Sequence, residues 1–197
     1  MLVLIDNNKL DDAERDLNMS VEQLLTPLTR YRRNRPDAMF AIDNGAFAGF
    51  NEKAFMSLLN REYENRNKCR FVCCPDVVAD CNKTLELFNE WRLKLSDWPL
   101  AFVAQDGQGV ETVPWDHIAA LFIGGSTRFK LSAQVEKLIK EAKQRGKWVH
   151  VGRVNGPERY KWFESLGADS CDGTGLARYS HMRQAIAKRD YQHTLFV

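Results

Sequence analysis

A short, continuously apolar run recurs along this chain, and nearly every copy is stopped by an acid, an amide or a glycine. Leu2 to Ile5 stops at Asp6, Met39 to Ile42 at Asp43, Arg70 to Cys74 at Pro75 and Asp76, and Leu100 to Ala104 at Gln105, Asp106 and Gly107. Ala119 to Ile123 stops at Gly124 and Gly125, Trp148 to Val151 at Gly152, and a further short run at Asp172. Runs that are apolar without alternation suit strands covered on both faces, as in a parallel sheet wrapped by helices. The stretch from Lys147 to Arg178 shows one whole unit: a strand, a glycine turn, a helix opened by Pro157 and a second strand.

Helical patterns fall between the runs. Ser20 and Gln23 form a capping box that predicts a helix through about Arg33, broken by Pro36 and Asp37. Asn51 caps a helix to about Asn65, and Leu85, Phe88, Leu93 and Leu95 mark a third. Val135, Leu138, Ile139 and Ala142 give the next one its apolar face, and a last covers roughly Ser180 to Lys188. The segment after Gln105 reads as loop. Such alternation predicts an α/β fold, a compact TIM-like (β/α) barrel over 1–197 as a single domain. It is complete if the tail Thr194-Leu195-Phe196-Val197 supplies an eighth strand and incomplete if not.

With 197 residues there is material for one core and little for a second. No apolar run approaches a membrane span, and the start of the chain lacks a signal-peptide pattern, so the expectation is a cytoplasmic protein without a membrane partner. Five cysteines, four of them between Cys69 and Cys81, do not form a secreted disulfide framework. Cys73 and Cys74 are adjacent and point to opposite faces of a strand, so buried thiols are expected there rather than a metal site. The net charge of +2 does not by itself mark a nucleic-acid partner.

In barrels of this kind the carboxyl ends of the strands carry the chemistry, which makes Asp172, ahead of Gly173, Thr174 and Gly175, a candidate catalytic acid. The rim residues also have plainer uses. Asp172 and Asp43 suit turns, Asp76 suits a helix cap, Phe47 suits a core, Gln105 suits a surface, and His150, between two valines, suits a satisfied buried histidine.

Taken in order, the rim motifs resemble those of the tRNA-guanine transglycosylases and their deazaguanine DNA-modifying relatives. The family's Asp-Ser-Gly-Gly-Phe-Gln turn resembles Asp43-Asn44-Gly45-Ala46-Phe47-Ala48, and its base-reading aspartate resembles Asp76 after Cys73-Cys74-Pro75. Its Gln-Gly turn resembles Gln105-Asp106-Gly107, its Gly-Gly strand end Gly124-Gly125, its Met-Gly-Val-Gly-x-Pro segment Val151-Gly152-Arg153-Val154 with Pro157, and its nucleophile region Asp169 to Arg178. The resemblance covers about Met39 to Arg178. It implies a barrel that exchanges a base at a glycosidic carbon without a cofactor. Asp172 would be the covalent nucleophile and Asp43 the group that moves the base's proton. Asp76, Gln105, the backbone near Gly124 and Gly125, and Gly152 would bind the base, and Phe47 would stack on it.

The sequence departs from the family in two ways. The zinc-binding cysteine and histidine cluster after the nucleophile is absent, so no metal is expected, and Asn44, Ala46 and Ala48 replace three family turn residues. Both, with the short chain, favour the minimal DNA-acting relatives of phages and bacterial defence systems over a tRNA enzyme, with a free deazaguanine base as co-substrate. Arg30, Arg32, Arg33 and Arg35 beside Tyr31, together with Arg128, Lys130 and Arg178, are the expected phosphate contacts. A DNA glycosylase in which water resolves the intermediate, and a catalytically inactive nucleic-acid-binding barrel, are the alternatives.

Overall fold

The computed structural model describes the backbone of residues 1–194 and the side chains of residues 1–188. Eight parallel strands close into a barrel in chain order. They are β1 (Leu2–Ile5), β2 (Val21–Leu25), β3 (Phe40–Ile42), β4 (Cys69–Cys73), β5 (Leu100–Ala104), β6 (Ala120–Ile123), β7 (Trp148–Val151) and β8 (Ser170–Cys171). β1 pairs with both β2 and β8, which shuts the ring. The barrel is therefore complete without the tail. The strand expected there lies outside the described residues, apart from Thr194, the last residue of α8.

Around the ring run α1 (Leu10–Leu17), α2 (Glu52–Glu62), α3 (Cys81–Lys94), α4 (Thr127–Lys130), α5 (Ala133–Gln144), α6 (Pro157–Ser165), α7 (Thr174–Arg178) and α8 (Ser180–Thr194). Asn51 caps α2 by accepting from Ala54 N at 3.0 Å, as its sequence position predicts. The cap of α3 is Asp80, so Asp76 is released from that use. Apolar faces such as Val135, Leu138, Ile139 and Ala142 of α5 pack onto the outside of the barrel.

The helix expected from Ser20 to about Arg33 does not form; its first half is β2. Val21, Leu24 and Leu25 sit at helical spacing, but all three are buried by neighbouring strands and covering chain. No helix follows β2. The chain from 26 to 39 descends over it, and buried Gln23 ties that chain down. Its amide donates to Asn8 Oδ1 at 2.9 Å and Arg32 O at 3.1 Å, and its oxygen accepts from Asn34 N at 3.3 Å. β5 and β6 are likewise joined only by two short 3-10 turns, Val110–Thr112 and Trp115–His117. These two economies fit a closed barrel into a short chain.

Period-two alternation places Leu4, Leu24, Ala41, Cys73, Ala101, Val103, Ala120 and Phe122 in the lumen. β7 and β8 break this apolar filling. Their inward residues are Trp148, His150 and Gly152, and Ser170 followed by Asp172, with His150 in register with Ser170. Lower in the lumen Arg70 pairs with Glu22 and lies 4.5 Å from the Trp148 ring centroid. Ion pair, indole, hydroxyl, imidazole and carboxylate thus form one polar column up the barrel.

Candidate active site

The top inward layer is made of the residues that stop the strands. Asp6, Thr26, Asp43, Gln105, Gly124, Gly152 and Asp172 all line one cavity of about 330 Å³, together with Asn44, Asp76, Phe47, Lys130, Arg153 and Arg178. That volume is at the small end for ligand pockets.

Both carboxylate oxygens of Asp172 are held. His150 Nε2 meets Oδ2 at 3.0 Å, and the Arg153 backbone N–H donates to Oδ1 at 3.1 Å. His150 is fully buried, with Nδ1 2.8 Å from Ser170 Oγ. Trp148 Nε1–H donates to the same hydroxyl oxygen at 2.8 Å. The serine proton is then free for Nδ1, which puts a ring proton on Nε2, facing the carboxylate. Phe71 and Phe122 flank the imidazole, with centroids 5.1 and 4.7 Å away. His150 is thus a satisfied buried histidine, as its sequence setting suggests, and its partner is the candidate nucleophile.

Gly152 permits the close approach: a Cβ there would stand 2.7 Å from Phe122 Cε1. Beyond it, Arg153 adopts φ +57°. Its guanidinium donates to Gly125 O at 3.0 Å and lies 3.9 Å from the Phe47 ring centroid. Phe47 is 66 % exposed, which removes the core reading for it.

Asp43 and Asp76 sit across the cavity. Burial, then repulsion from Asp172 and from Asp76, pushes the Asp43 carboxyl up to about 7 against the pull of the Gly45 and Asn44 N–H groups. Burial also lifts Asp76, to about 6, although Asn44 Nδ2 donates to it at 2.7 Å and Gln105 Nε2 at 2.6 Å. Asn44 also donates to Cys74 O at 2.6 Å and accepts from Ala46 N at 2.7 Å, so it braces this side of the cavity. Asp6, on the strand next to Asp172, is raised by burial and by Asp172, opposed by Arg178.

The structure corrects several of the expected ligand contacts. Gln105 is buried and held by protein at both ends of its amide: besides its donation to Asp76, its oxygen accepts from Ala79 N at 2.9 Å. The Gly124 amide belongs to the barrel ladder, donating to Ala104 O at 3.0 Å. Lys130 is 4 % exposed and donates to Gly152 O at 2.7 Å, so it is no surface phosphate contact. Burial and Arg153 bring its ammonium down to about 8, with Arg159 adding to the fall and Asp172 and Asp106 opposing it.

The arginine cluster divides. Arg33 lies against the Phe40 ring and pairs with Glu62 at 3.1 Å, and Arg35 pairs with Glu14 at 2.8 Å and with Asp11, so neither is free for phosphate. Arg30, Arg32, Arg128 and Arg178 are exposed, and Arg178 lines the cavity mouth. The five cysteines are unpaired thiols, and the described residues hold no cluster of three or more histidine, cysteine or acidic side chains arranged for a metal. Among them no helix is long and apolar enough to cross a membrane.

Lys130 and Arg153 as cavity residues, along with Ser170 and Trp148, are not apparent from the motifs alone. The period-two pattern Trp-x-His-x-Gly on β7 against Ser-x-Asp on β8 is the signal that pairs most of the residues around Asp172.

No family model matches this sequence, and no curated protein does. Among solved structures the chain is similar to a flavocytochrome b2 point mutant, with a TM-score of 0.56 at 12% identity over 96% of this chain and 61% of that one. It also matches a structure titled native KDPGal, with a TM-score of 0.48 at 12% identity over 99% of this chain and 96% of that one. The chain thus spans 61% of the flavocytochrome's length, and what it shares with that structure at this identity is the TIM-barrel fold.

Proposed function

We propose that this barrel is an enzyme that exchanges a base at a nucleic-acid glycosidic bond, replacing guanine in DNA with a deazaguanine through a covalent aspartyl–sugar intermediate. One observation carries the reading: Asp172, Asp43 and Asp76, assigned from the motif resemblance, converge on a single small cavity with different environments. Asp172 is gripped at both oxygens, as suits a nucleophile that must stay aimed at the anomeric carbon. Asp43 near 7 is poised to give a proton to the departing base and take one from the arriving base. Asp76, fixed by two amides, offers its remaining lone pairs to the donor edge of a guanine-like base. Phe47 and the Arg153 guanidinium cover the mouth, where a base turned out of a strand can stack.

Incubating the protein with guanine-containing DNA, with and without a free deazaguanine base, and digesting to nucleosides for mass spectrometry tests this. The expected result is a deazaguanine 2′-deoxynucleoside in the DNA digest and released guanine only when the co-substrate is present. Guanine release with abasic sites in its absence would mean that water resolves the intermediate, and no change in either would remove the function.

The rim arginines give a separate check. Neutralising Arg30, Arg32, Arg128 and Arg178 together should weaken DNA binding and flatten its log–log salt slope by about 0.9 for each duplex phosphate that is no longer neutralised. Neutralising Arg33 and Arg35 should leave the slope unchanged, because both already have carboxylate partners.

A further inference from the structure

We propose that Lys130 is a positioning residue for Asp172 and that it acts through a single peptide unit, the one joining Gly152 to Arg153. The carbonyl of that peptide accepts from Lys130 Nζ at 2.7 Å, and its N–H donates to Asp172 Oδ1 at 3.1 Å. An ammonium on the oxygen of an amide draws electron density from its nitrogen and strengthens the N–H as a donor, the cooperative effect of linked hydrogen bonds. The charge of a side chain on α4 therefore reaches the carboxylate at the end of β8.

Three features make this more than a passing contact. Lys130 is buried, yet it stands in no ion pair among the described residues, and its one hydrogen-bond acceptor is this neutral carbonyl. A buried ammonium whose hydrogen bond goes to a neutral carbonyl, with Asp172 and Asp106 attracting it only from beyond ion-pair distance, is costly, so fold stability alone does not account for it. The peptide is also held in a demanding geometry, with Arg153 in the left-handed region and Gly152 too close to Phe122 to carry a Cβ. Arg153 anchors its far side through Gly125 O.

The catalytic consequence rests on the base-exchange reading, whereas the coupling itself does not. In the first half-reaction a carboxylate oxygen of Asp172 bonds to the anomeric carbon, and the carbon–nitrogen bond breaks with its electron pair leaving on the base, which takes a proton from Asp43. In the second, the incoming base bonds to that carbon, the carbon–oxygen bond breaks, its electron pair returns to Asp172, and the base's proton passes to Asp43. A strong donor on Asp172 favours the free carboxylate. It restrains the first half and assists the second.

The test uses Lys130→Met and Lys130→Arg. In the free protein the Arg153 amide proton resonance should move upfield in Lys130→Met and stay near its place in Lys130→Arg. With substrate DNA, rapid-quench time courses should show adduct breakdown slowed about five- to tenfold in Lys130→Met while formation is not slowed, so that adduct accumulates. Should Lys130→Met fail to fold, the unmodified protein still decides. Its Arg153 amide should titrate together with the Lys130 side-chain carbons, near pH 8, with Arg153, Arg159, Asp172 and Asp106 the charged groups facing the lysine. An unmoved Arg153 amide in folded Lys130→Met or across that titration, or equal slowing of both half-reactions, overturns the proposal. If the amide responds but the unmodified protein forms no adduct, the base-exchange reading falls and the coupling stands.

Discussion

Asp172→Ala should form no denaturation-resistant protein–DNA adduct at all, while Asp43→Ala should still form one, about 10²–10⁴-fold more slowly. In the proposed mechanism the contrast follows from what each side chain supplies. Without the Asp172 carboxylate nothing captures the anomeric carbon, whatever happens to the proton. Without Asp43 the capturing oxygen remains, still aimed by His150 and the Arg153 N–H, but the base must leave without its acid. Denaturing electrophoresis after incubation with DNA reads both. Each variant should keep its fold, since rim residues at the carboxyl ends of barrel strands serve function more than stability. An adduct with Asp172→Ala would remove the mechanism.

Asp43→Asn should be more stable than the unmodified protein at pH 8 and no more stable near pH 4. Burial and two neighbouring acids raise the folded-state pKa of Asp43 from 3.8 to about 7. The native state therefore holds more protons than the unfolded chain between those values, and stability falls as the pH rises through that window. Above about 7 the full cost of ionising Asp43 is borne by the fold. A shift of this size corresponds to about 4 kcal/mol in all, part of which is the mutual repulsion with Asp172 and Asp76. Melting curves at the two pH values measure it. A variant with the same melting temperature as the parent at pH 8 would mean that Asp43 is not held against its charge. The same variant should slow base exchange by about the 10²–10⁴-fold expected for Asp43→Ala, so one substitution moves stability and activity in opposite directions.

Why the rim is legible in the sequence, and the rest only partly, has a physical reason. A strand in a closed barrel ends where its inward alternation reaches solvent, so the terminating residue and the cavity residue are the same one. Asp6, Asp43, Gln105, Gly152 and Asp172 are visible on that account. β2 is not. Its apolar residues happen to fall at helical spacing, and Gln23, which looks like half of a capping box, is a buried tether bonded to Arg32 O and Asn34 N in a loop with no sequence pattern of its own. Arg33 and Arg35 look like phosphate ligands beside Arg30 and Arg32, but their partners Glu62 and Glu14 come from distant parts of the chain. Lys130 misleads for the converse reason. A lysine in a short turn of helix after a glycine pair reads as exposed, and only closure of the barrel covers it. His150 and Ser170 each fit an ordinary strand, and their meaning lies in the register between two strands.

The polar column on β7 and β8 ties the lower barrel to the rim carboxylate. In a lumen filled only with aliphatic side chains, a change below the rim is felt as weaker packing. Here a change at Trp148, or at the Arg70–Glu22 pair beneath it, alters the hydrogen-bond supply to Ser170 and hence the ring that faces Asp172. The reactivity of the rim acid can therefore drift through residues that no substrate touches. If the proposed base exchange holds, substitutions low in the barrel should change its rate while the residues that line the cavity, and with them the choice of base, stay the same.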